Sequence, residues 1–195
     1  MIVAVILSAG DSSRMGKPKA LLPVGTETFV ERIVAAFRKT GVEKILIVLG
    51  RHVAEIRPKI AQLSVQTVVN ENYNRGQLSS LQTAIRALEG EDVEAILVHL
   101  VDHPFVNPGL VDQMIQNFRA SNALIVLPRY KDRRGHPVLF SSKLFPELLE
   151  ASLEVGAKEV VRAHRSQTLE IETTEEGVTI DIDTPDEYRW HVEKG

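Results

Sequence analysis

The feature that most constrains the fold is a short apolar run followed directly by a polar loop. Residues 2–7 are all aliphatic and mostly β-branched, which is typical of a strand buried on both faces of a parallel sheet. The run stops at Ser8, and the loop after it is rich in small residues and carries cations at Arg14, Lys17 and Lys19. Small residues let a backbone approach a ligand closely, and the cations favour an anion. The pattern predicts a strand that leads into a phosphate-binding loop.

Bulk composition excludes several classes of function. The chain has 195 residues, a formal net charge of -3 and no cysteine. There is therefore no global basic field to hold nucleic acid, and disulfides, thiol nucleophiles and cysteine-ligated metals are ruled out. No apolar run approaches the roughly 18 residues of a membrane-spanning helix, and the first run lacks the basic lead of a signal peptide. We expect a soluble, cytoplasmic protein that binds neither nucleic acid nor membrane.

Further apolar runs alternate with segments of helical periodicity. The predicted strands cover 2–7, 44–49, 65–69, 94–101 and 123–127, and the predicted helices cover 52–63, 77–88, 108–120 and a segment from Thr26 or Thr28 to about Thr40. This alternation predicts repeated β-α-β units, and hence a three-layer α/β/α architecture with a mostly parallel, Rossmann-like sheet. Ligands bind beyond the carboxyl ends of strands in such sheets, and both the polar loop and Asp102 lie at such ends.

The pattern changes after the fifth strand. The predicted elements there are a charged loop over 129–135, strands over 136–140, 167–171 and 178–182, and short helices over 143–151 and 156–164. The last two strands are predicted from alternating polarity. A final helix should begin at Pro185, with Thr184 as its N-cap. No internal repeat or linker is apparent, which predicts one domain over 1–195.

The polar loop does not match the common phosphate-binding motifs. Five residues separate Gly10 from Gly16, whereas a P-loop has four between its glycines. Lys17 is followed by Pro18 instead of serine or threonine, and the dinucleotide fingerprint G-x-G-x-x-G is absent. From residue types alone, a phosphate-binding loop and a surface loop with solvated charges both remain open.

The same loop resembles a known signature. Residues 7–19 read L-S-A-G-D-S-S-R-M-G-K-P-K and resemble the L-x-(A/G)-G-x-(S/G)-x-R-M-G-x-x-K of nucleotidyltransferases. The continuation through Gly25 is similar to the K-x-L-L-P of the MobA-like NTP transferase family, in the group that contains molybdenum cofactor cytidylyltransferases. Further segments that resemble this group are 70–81, 101–104, 134–138, 156–158 and 181–186. Three residues differ from those usual in this group: Ser8, His103 and Lys158. The difference at His103 leaves the identity of the acceptor substrate open.

The resemblance implies the fold of nucleotide-diphospho-sugar transferases and a specific reaction. The expected activity is Mg²⁺-dependent transfer of CMP from CTP to the terminal phosphate of molybdopterin or molybdenum-bound molybdopterin, with release of pyrophosphate. One alternative is a nucleotidyltransferase that uses GTP, or that uses a sugar or alcohol phosphate as acceptor. Another is a carrier or insertion chaperone that holds the cofactor for a molybdoenzyme of the xanthine-dehydrogenase type.

The nucleotide site combines residue chemistry with the resemblance. Backbone amides of the loop should hold the triphosphate, Arg14 should clamp its β- or γ-phosphate, and Lys19 should act as a point charge near the α-phosphate. Lys17 is expected to be a solvated surface cation. The resemblance adds positions in the third strand–helix connection. The predicted nucleotide-binding residues are Leu7, Ser8, Ala9, Gly10, Ser12, Arg14, Lys19, Asn70, Gly76 and Ser80.

The metal and acceptor sites are expected from residues far apart in the chain. Asp102, at a strand end, supplies one carboxylate for Mg²⁺, and the resemblance implies Asp183 as the second, although Asp183 could instead cap the last helix. The predicted catalytic residues are Arg14, Lys19 and Asp102. The acceptor is expected at Arg134 and His136, although Arg134 could instead be a solvated loop charge and His136 a structural hydrogen-bonding residue. No general base is needed, because an acceptor phosphate is already ionised at neutral pH.

Overall fold

The apolar runs that the sequence predicts as strands lie side by side in one sheet. The protein is represented by a computed structural model that describes residues 1–193. Its strands are β1 (Ile2–Ser8), β2 (Pro23–Val24), β3 (Glu27–Thr28), β4 (Lys44–Leu49), β5 (Gln66–Val69), β6 (Ala95–Leu100), β7 (Ile125–Tyr130), β8 (Arg133–Arg134), β9 (Val138–Ser141) and β10 (Thr168–Glu172). Its α-helices are α1 (Phe29–Phe37), α2 (Val53–Ile60), α3 (Gln77–Ala87), α4 (Pro108–Ala120), α5 (Phe145–Glu150), α6 (Lys158–Ala163) and α7 (Pro185–Tyr188).

The main sheet has the order β10-β7-β9-β6-β1-β4-β5, and β8 pairs only with β7. The pairs β1–β4, β1–β6, β4–β5 and β7–β10 are parallel, whereas β9 is antiparallel to both β6 and β7. Strand β1 is central, with Val5 opposite Leu46 on one side and Val98 on the other. The predicted three-layer, mostly parallel α/β architecture is confirmed.

Strand β1 connects two apolar cores because its side chains alternate between the faces of the sheet. Ile2, Ala4 and Ile6 pack with residues of α1 and α4. Val3, Val5 and Leu7 pack with residues of α3, α5 and α6. Every residue of the strand is buried, which explains why the run is continuously apolar. The start of the polar loop is therefore anchored to the most buried strand of the protein.

Local capping determines where several helices begin. Thr28 is the N-cap of α1 and forms a capping box with Glu31, whose carboxylate accepts from the Thr28 amide at 2.7 Å. Thr184 caps α7 in the same way with Glu187, and Pro185 occupies the first helical position, as predicted. Helix α1 ends at Phe37, three residues before the predicted boundary near Thr40.

Two predictions for the second half are wrong. The segment 178–182 is not a strand: Glu176–Thr179 forms a 3₁₀ turn, and the residues after it pair with no strand among residues 1–193. Its alternation reflects burial, because Val178 and Ile182 insert into different apolar clusters. The predicted charged loop over 129–135 is a hairpin, in which β7 continues to Tyr130 and pairs with β8.

Within residues 1–193, no helix combines the length and apolar character that crossing a membrane requires.

Candidate active site

The carboxyl ends of β1, β4 and β6 surround a cavity of about 330 Å³. The loop after β1 forms one wall, the turn into α2 forms another, and the start of α3 closes the side near β5. Asp102, just past β6, and Asp183, before α7, complete the lining. The cavity therefore lies where parallel α/β sheets bind ligands.

The loop after β1 has a defined conformation. Ser12 adopts a left-handed backbone with φ of 52°, its carbonyl accepts from the Met15 amide at 3.0 Å, and its Oγ accepts from the Lys19 amide at 3.2 Å. Within the described residues 1–193, the amides over 10–14 donate to no protein acceptor. This row of free N–H donors beside a cavity is suited to bind the oxygens of a polyphosphate.

Charged side chains from three separate regions meet at the rim of the cavity. The Lys19 ammonium donates to Asp102 Oδ2 at 3.1 Å and also to Asp183 Oδ1. Arg14 donates to Asp183 Oδ2 from the other side. The Lys19 side chain is 12% exposed and both carboxylates are about a quarter exposed, whereas Arg14 is 65% exposed. The result is a half-buried cluster of two cations and two anions.

Electrostatics keep the inner pair ionised. Burial alone lowers the pKa of Lys19, but Asp102 and Asp183 outweigh it and the net pKa is raised. Burial alone raises the pKa of Asp183, but the hydrogen bond and charge of Lys19, together with Arg14, lower it below its ordinary value. Both groups therefore carry their charges at neutral pH.

The structure brings most of the predicted nucleotide-binding residues into this cavity. Its lining includes Leu7, Ser8, Ala9, Gly10, Ser12, Arg14, Lys19, Gly76 and Ser80. Asn70 is the exception, since it is buried behind the wall and does not line the cavity. Its side-chain amide donates to the Oγ atoms of Ser79 and Ser80, at 2.8 and 3.0 Å. Asn70 therefore holds the first turn of α3 in place.

Arg134 and His136 line a second, larger cavity of about 520 Å³. The two cavities share Leu7 and Gln77 in their linings, so they are neighbours. The second is largely apolar, with Leu78, Leu81, Val98, Leu127 and Phe140 in its walls and Lys158 and Arg162 among its polar residues. Arg134 donates through Nε to Glu170 at 2.9 Å.

Three histidines cluster beside these cavities: His99 and His103 are buried, and His136 is partly buried in the wall of the second cavity. The His103 and His136 rings are 5.0 Å apart, and both lie within 6.4 Å of the His99 ring. Burial lowers the pKa of His103 to about 3, with the neighbouring His136 as the second cause. Burial also lowers the pKa values of His99 and His136. All three are therefore neutral near pH 7, and the predicted acceptor contact at His136 would be a neutral one.

The sequence analysis did not predict His52, which lines the cavity that contains Arg14, Lys19 and Asp102; we call it the nucleotide-side cavity, because most of the predicted nucleotide-binding residues line it. The side chain of this residue contacts the backbone carbonyl of Asp11 at 2.8 Å. A signal was present, because His52 follows β4 and the carboxyl end of β4 lies beside that of β1. Tyr73 and Gln77 also line the cavity and were not predicted.

The turn after β4 packs tightly against the polar loop. A Cβ atom added at Gly50 would lie 2.6 Å from the Ala9 carbonyl oxygen, so the two backbones can approach only without a side chain there.

We expect Gly50→Ala to lower the free energy of unfolding by about 1–3 kcal/mol, because a backbone must move to relieve the overlap. Differential scanning calorimetry measures the effect. Gly41→Ala is the matched control, since its added Cβ meets no atom closer than 3.7 Å. Equal melting temperatures for Gly50→Ala and the unmodified protein would contradict the close approach.

Comparison with known proteins identifies the family. The family model described as "MobA-like NTP transferase domain" matches residues 4–168. The chain is 27% identical to the molybdenum cofactor cytidylyltransferase of Escherichia coli K12, covering 96% of this chain and 93% of that protein. It is 29% identical to the nicotine blue oxidoreductase of Paenarthrobacter nicotinovorans, covering 96% and 95%. It is 31% identical to the bifunctional protein GlmU of Gloeobacter violaceus over 71% of this chain, but spans only 31% of that protein's length.

Two solved structures resemble this chain over nearly its whole length. Rv0371c from Mycobacterium tuberculosis H37Rv superimposes with a TM-score of 0.87 at 31% identity, covering 98% of both chains. A structure of Rv0371c in complex with manganese superimposes with a TM-score of 0.84 at 29% identity, covering 100% of this chain and 99% of that one. The chain therefore belongs to the MobA-like NTP transferase family and is a nucleotidyltransferase.

Proposed function

We propose that the protein transfers a cytidylyl group from CTP to the terminal phosphate of a molybdopterin-type acceptor and releases pyrophosphate. The observation that carries this proposal is the pair of adjacent cavities, with the cluster of Arg14, Lys19, Asp102 and Asp183 in the first. One cavity has free backbone donors and cations for a triphosphate. The other has an apolar interior for a second, ring-bearing substrate. CTP and the pterin are supported by the signature over 7–25 and by the cytidylyltransferase relative.

The proposed reaction joins two anions, so the protein must offset negative charge and align the attack. The amides of the loop bind the triphosphate oxygens. Arg14, largely exposed at the rim, reaches the β- or γ-phosphate. Lys19, held by two carboxylates, provides a fixed positive charge beside the α-phosphate. Lys19 and the loop amides are held by the protein before substrate arrives, and the exposed Arg14 guanidinium is held through its pair with Asp183.

Members of this family use a divalent metal ion, and the two carboxylates fit one. Asp102 Oδ1 is buried and has no hydrogen-bond partner within residues 1–193, while Asp183 is tied to the same Lys19 ammonium as Asp102. Two carboxylates suit Mg²⁺, because this ion takes one or two carboxylates and completes its shell with phosphate and water. When bound, the ion would polarise the α-phosphate and stabilise the departing pyrophosphate.

The acceptor is proposed to occupy the second cavity. Its apolar walls suit a flat heteroaromatic ring, and Arg134 suits a phosphate or another anionic group. Leu7 and Gln77 lie at the boundary of the two cavities, where the acceptor phosphate would meet the nucleotide. The phosphate is already ionised at neutral pH, so attack requires no general base from the protein.

The experiment that tests this proposal varies the nucleotide, the metal ion and the acceptor. The protein is incubated with each of the four NTPs, Mg²⁺ or Mn²⁺, and molybdopterin, a sugar phosphate or an alcohol phosphate, and pyrophosphate is measured. We expect release with CTP and molybdopterin. Pyrophosphate release with GTP would replace CTP as the proposed nucleotide. Release with a sugar phosphate or an alcohol phosphate would replace molybdopterin as the proposed acceptor. Tight pterin binding without pyrophosphate release would favour a carrier that delivers cofactor to a molybdoenzyme of the xanthine-dehydrogenase type. Thermal protection by each NTP reports binding independently of turnover.

Arg134→Ala is expected to raise KM for the acceptor by about tenfold, because it removes a partly exposed charge-assisted contact. KM for CTP should stay unchanged. Steady-state kinetics with each substrate varied in turn measure both values. The control is Glu170→Gln, which weakens the Arg134–Glu170 pair but keeps the guanidinium. A similar loss in both variants would mean that Arg134 acts through the fold and contacts no acceptor.

A further inference from the structure

The imidazole of His52 lies between two oxygens that cannot donate a hydrogen bond. Its Nε2 is 2.8 Å from the carbonyl oxygen of Asp11, and its Nδ1 is 2.8 Å from a carboxylate oxygen of Glu55. Carbonyl and carboxylate oxygens are acceptors only, so each ring nitrogen must donate. A neutral imidazole carries one proton and would leave one nitrogen lone pair facing an oxygen. Both contacts are satisfied only by the imidazolium.

We propose that His52, protonated on both ring nitrogens, is a positioning residue that holds the nucleotide-binding loop in its binding conformation. The inference rests on the proposed nucleotide site. Asp11 belongs to the loop and Glu55 to helix α2, so the imidazolium joins the loop to a helix anchored by β4. His52 also lines the nucleotide-side cavity, so its charge would lie near a triphosphate bound there.

The loop is joined to the β4–α2 turn at several points. The Arg51 guanidinium donates to the Asp11 carboxylate at 2.7 Å, and the Arg51 amide donates to the Ala9 carbonyl at 3.5 Å. Gly50 permits the close approach of the two backbones. His52 supplies the contact to the Asp11 carbonyl, which orients the following peptide and hence the N–H of Ser12. Moving that peptide would disturb the row of free amides.

The charges around the ring explain its protonation. Burial lowers the pKa of His52, but the Asp11 carbonyl and Glu55 outweigh that effect and the net pKa is raised above its ordinary value, even with the opposing charge of Arg51 nearby. Asp11 from the loop, and Arg51 and Glu55 from its own segment, are the charged groups that face His52. The imidazolium is therefore present at low pH and is lost as pH rises through this raised pKa, so nucleotide affinity should fall over that interval.

The test compares the unmodified protein with His52→Gln, which keeps one amide donor for Asp11 but cannot carry charge. Dissociation constants for CTP–Mg²⁺ and for inorganic triphosphate are measured by calorimetry, without acceptor, from about pH 5.5 to pH 8.5. The ligand phosphates titrate in this range too, but the ratio of the two proteins' affinities cancels that effect. We expect the unmodified protein to bind roughly three- to tenfold more tightly at low pH, with the ratio approaching one above the His52 pKa.

Two further variants separate this role from a general effect on folding. Glu55→Gln removes the carboxylate that favours the imidazolium, so the pKa of His52 should fall. The pH at which the ratio of affinities changes should fall with it, and an NMR titration of the His52 ring should show the same shift in pKa. His164→Gln is the matched control, because His164 forms a similar pair with Glu147 and lines neither cavity. It should leave both affinities and their pH dependence unchanged.

The outcomes are distinct. A ratio that does not vary with pH, or an NMR titration showing a neutral His52 below its ordinary pKa, overturns the positioning role while the proposed function stands. Binding of inorganic triphosphate but not CTP, with the expected ratio, retains the role and overturns the proposed nucleotide. Failure to bind either ligand overturns both.

Discussion

Replacing Asp102 with asparagine is expected to reduce kcat for pyrophosphate release by about a hundred- to a thousandfold. The carboxylate follows β6 at the floor of the nucleotide-side cavity, and its Oδ1 is buried without a hydrogen-bond partner in the described chain. Asparagine has the same shape and still offers an oxygen to Lys19, so the local fold should persist. It lacks the charge that a divalent cation requires from the protein, and transition-state stabilisation is lost with it.

Single-turnover rates at saturating CTP and Mg²⁺ measure the effect, and circular dichroism and the melting temperature check the fold. Asp181→Asn is the control, since Asp181 is exposed and does not line the cavity. It should retain the full rate. An unchanged rate in Asp102→Asn would remove Asp102 from the proposed metal site, and a collapsed fold would be resolved by Asp102→Glu, which keeps the charge.

Replacing Lys19 with methionine is expected to affect both rate and stability. The ammonium bridges Asp102 and Asp183, which lie 83 and 164 residues away along the chain. Its loss leaves two partly buried carboxylates facing each other, which we expect to cost about 1–2 kcal/mol after allowance for solvent screening. The melting temperature should fall by roughly 2–6 °C for a chain of this size. The rate should fall about a hundredfold, because a fixed positive charge beside the α-phosphate disappears.

A second measurement on Lys19→Met, the response of its melting temperature to metal ions, separates the loss of charge from the loss of packing. Without the ammonium, Asp102 loses its ion-pair partner and Asp183 keeps only Arg14 in the described chain, so Mg²⁺ or Mn²⁺ alone should raise the melting temperature of the variant more than that of the unmodified protein. Lys17→Met is the control in the same loop, since Lys17 is exposed and lies outside the cavity lining. Identical metal responses in all three proteins would show that Lys19 does not compensate a cation site.

The first half of the fold was predictable because local pattern and burial coincide there. Strands such as β1 and β4 are covered on both faces, so the runs over 2–7 and 45–49 are continuously apolar and easy to predict as strands. The second half was less predictable. Val178 and Ile182 alternate with polar residues like a strand, yet they insert into different cores and pair with no strand of the part of the chain that the structure describes. Alternation of polar and apolar residues indicates which side chains are buried. It does not indicate whether another strand lies beside the segment.

The candidate site divides in a similar way. The contiguous segment over 7–19 predicted the loop, Arg14 and Lys19 as site residues, and the structure places them in the lining of one cavity. Asp102 was recognisable from its place at a strand end, and the structure puts it in hydrogen-bond contact with Lys19. Asn70 shows the limit, since its motif suggested a ligand contact, whereas its amide instead holds Ser79 and Ser80. His52 was missed because its role depends on an oxygen in another segment.

The sequence by itself determined the α/β alternation and the position of a small-residue, cation-bearing loop at a strand end, because these depend on local composition and spacing, and the resemblance over 7–19 then favoured phosphate binding by that loop. Only the tertiary structure decided which charges meet. Lys19 holds Asp102 and Asp183 together, and His52 joins Asp11 to Glu55, because β1, β4 and β6 end at the same edge of the sheet and bring distant segments within hydrogen-bond distance. Coulomb and hydrogen-bond energies depend on distance in space, and separation along the chain does not report it.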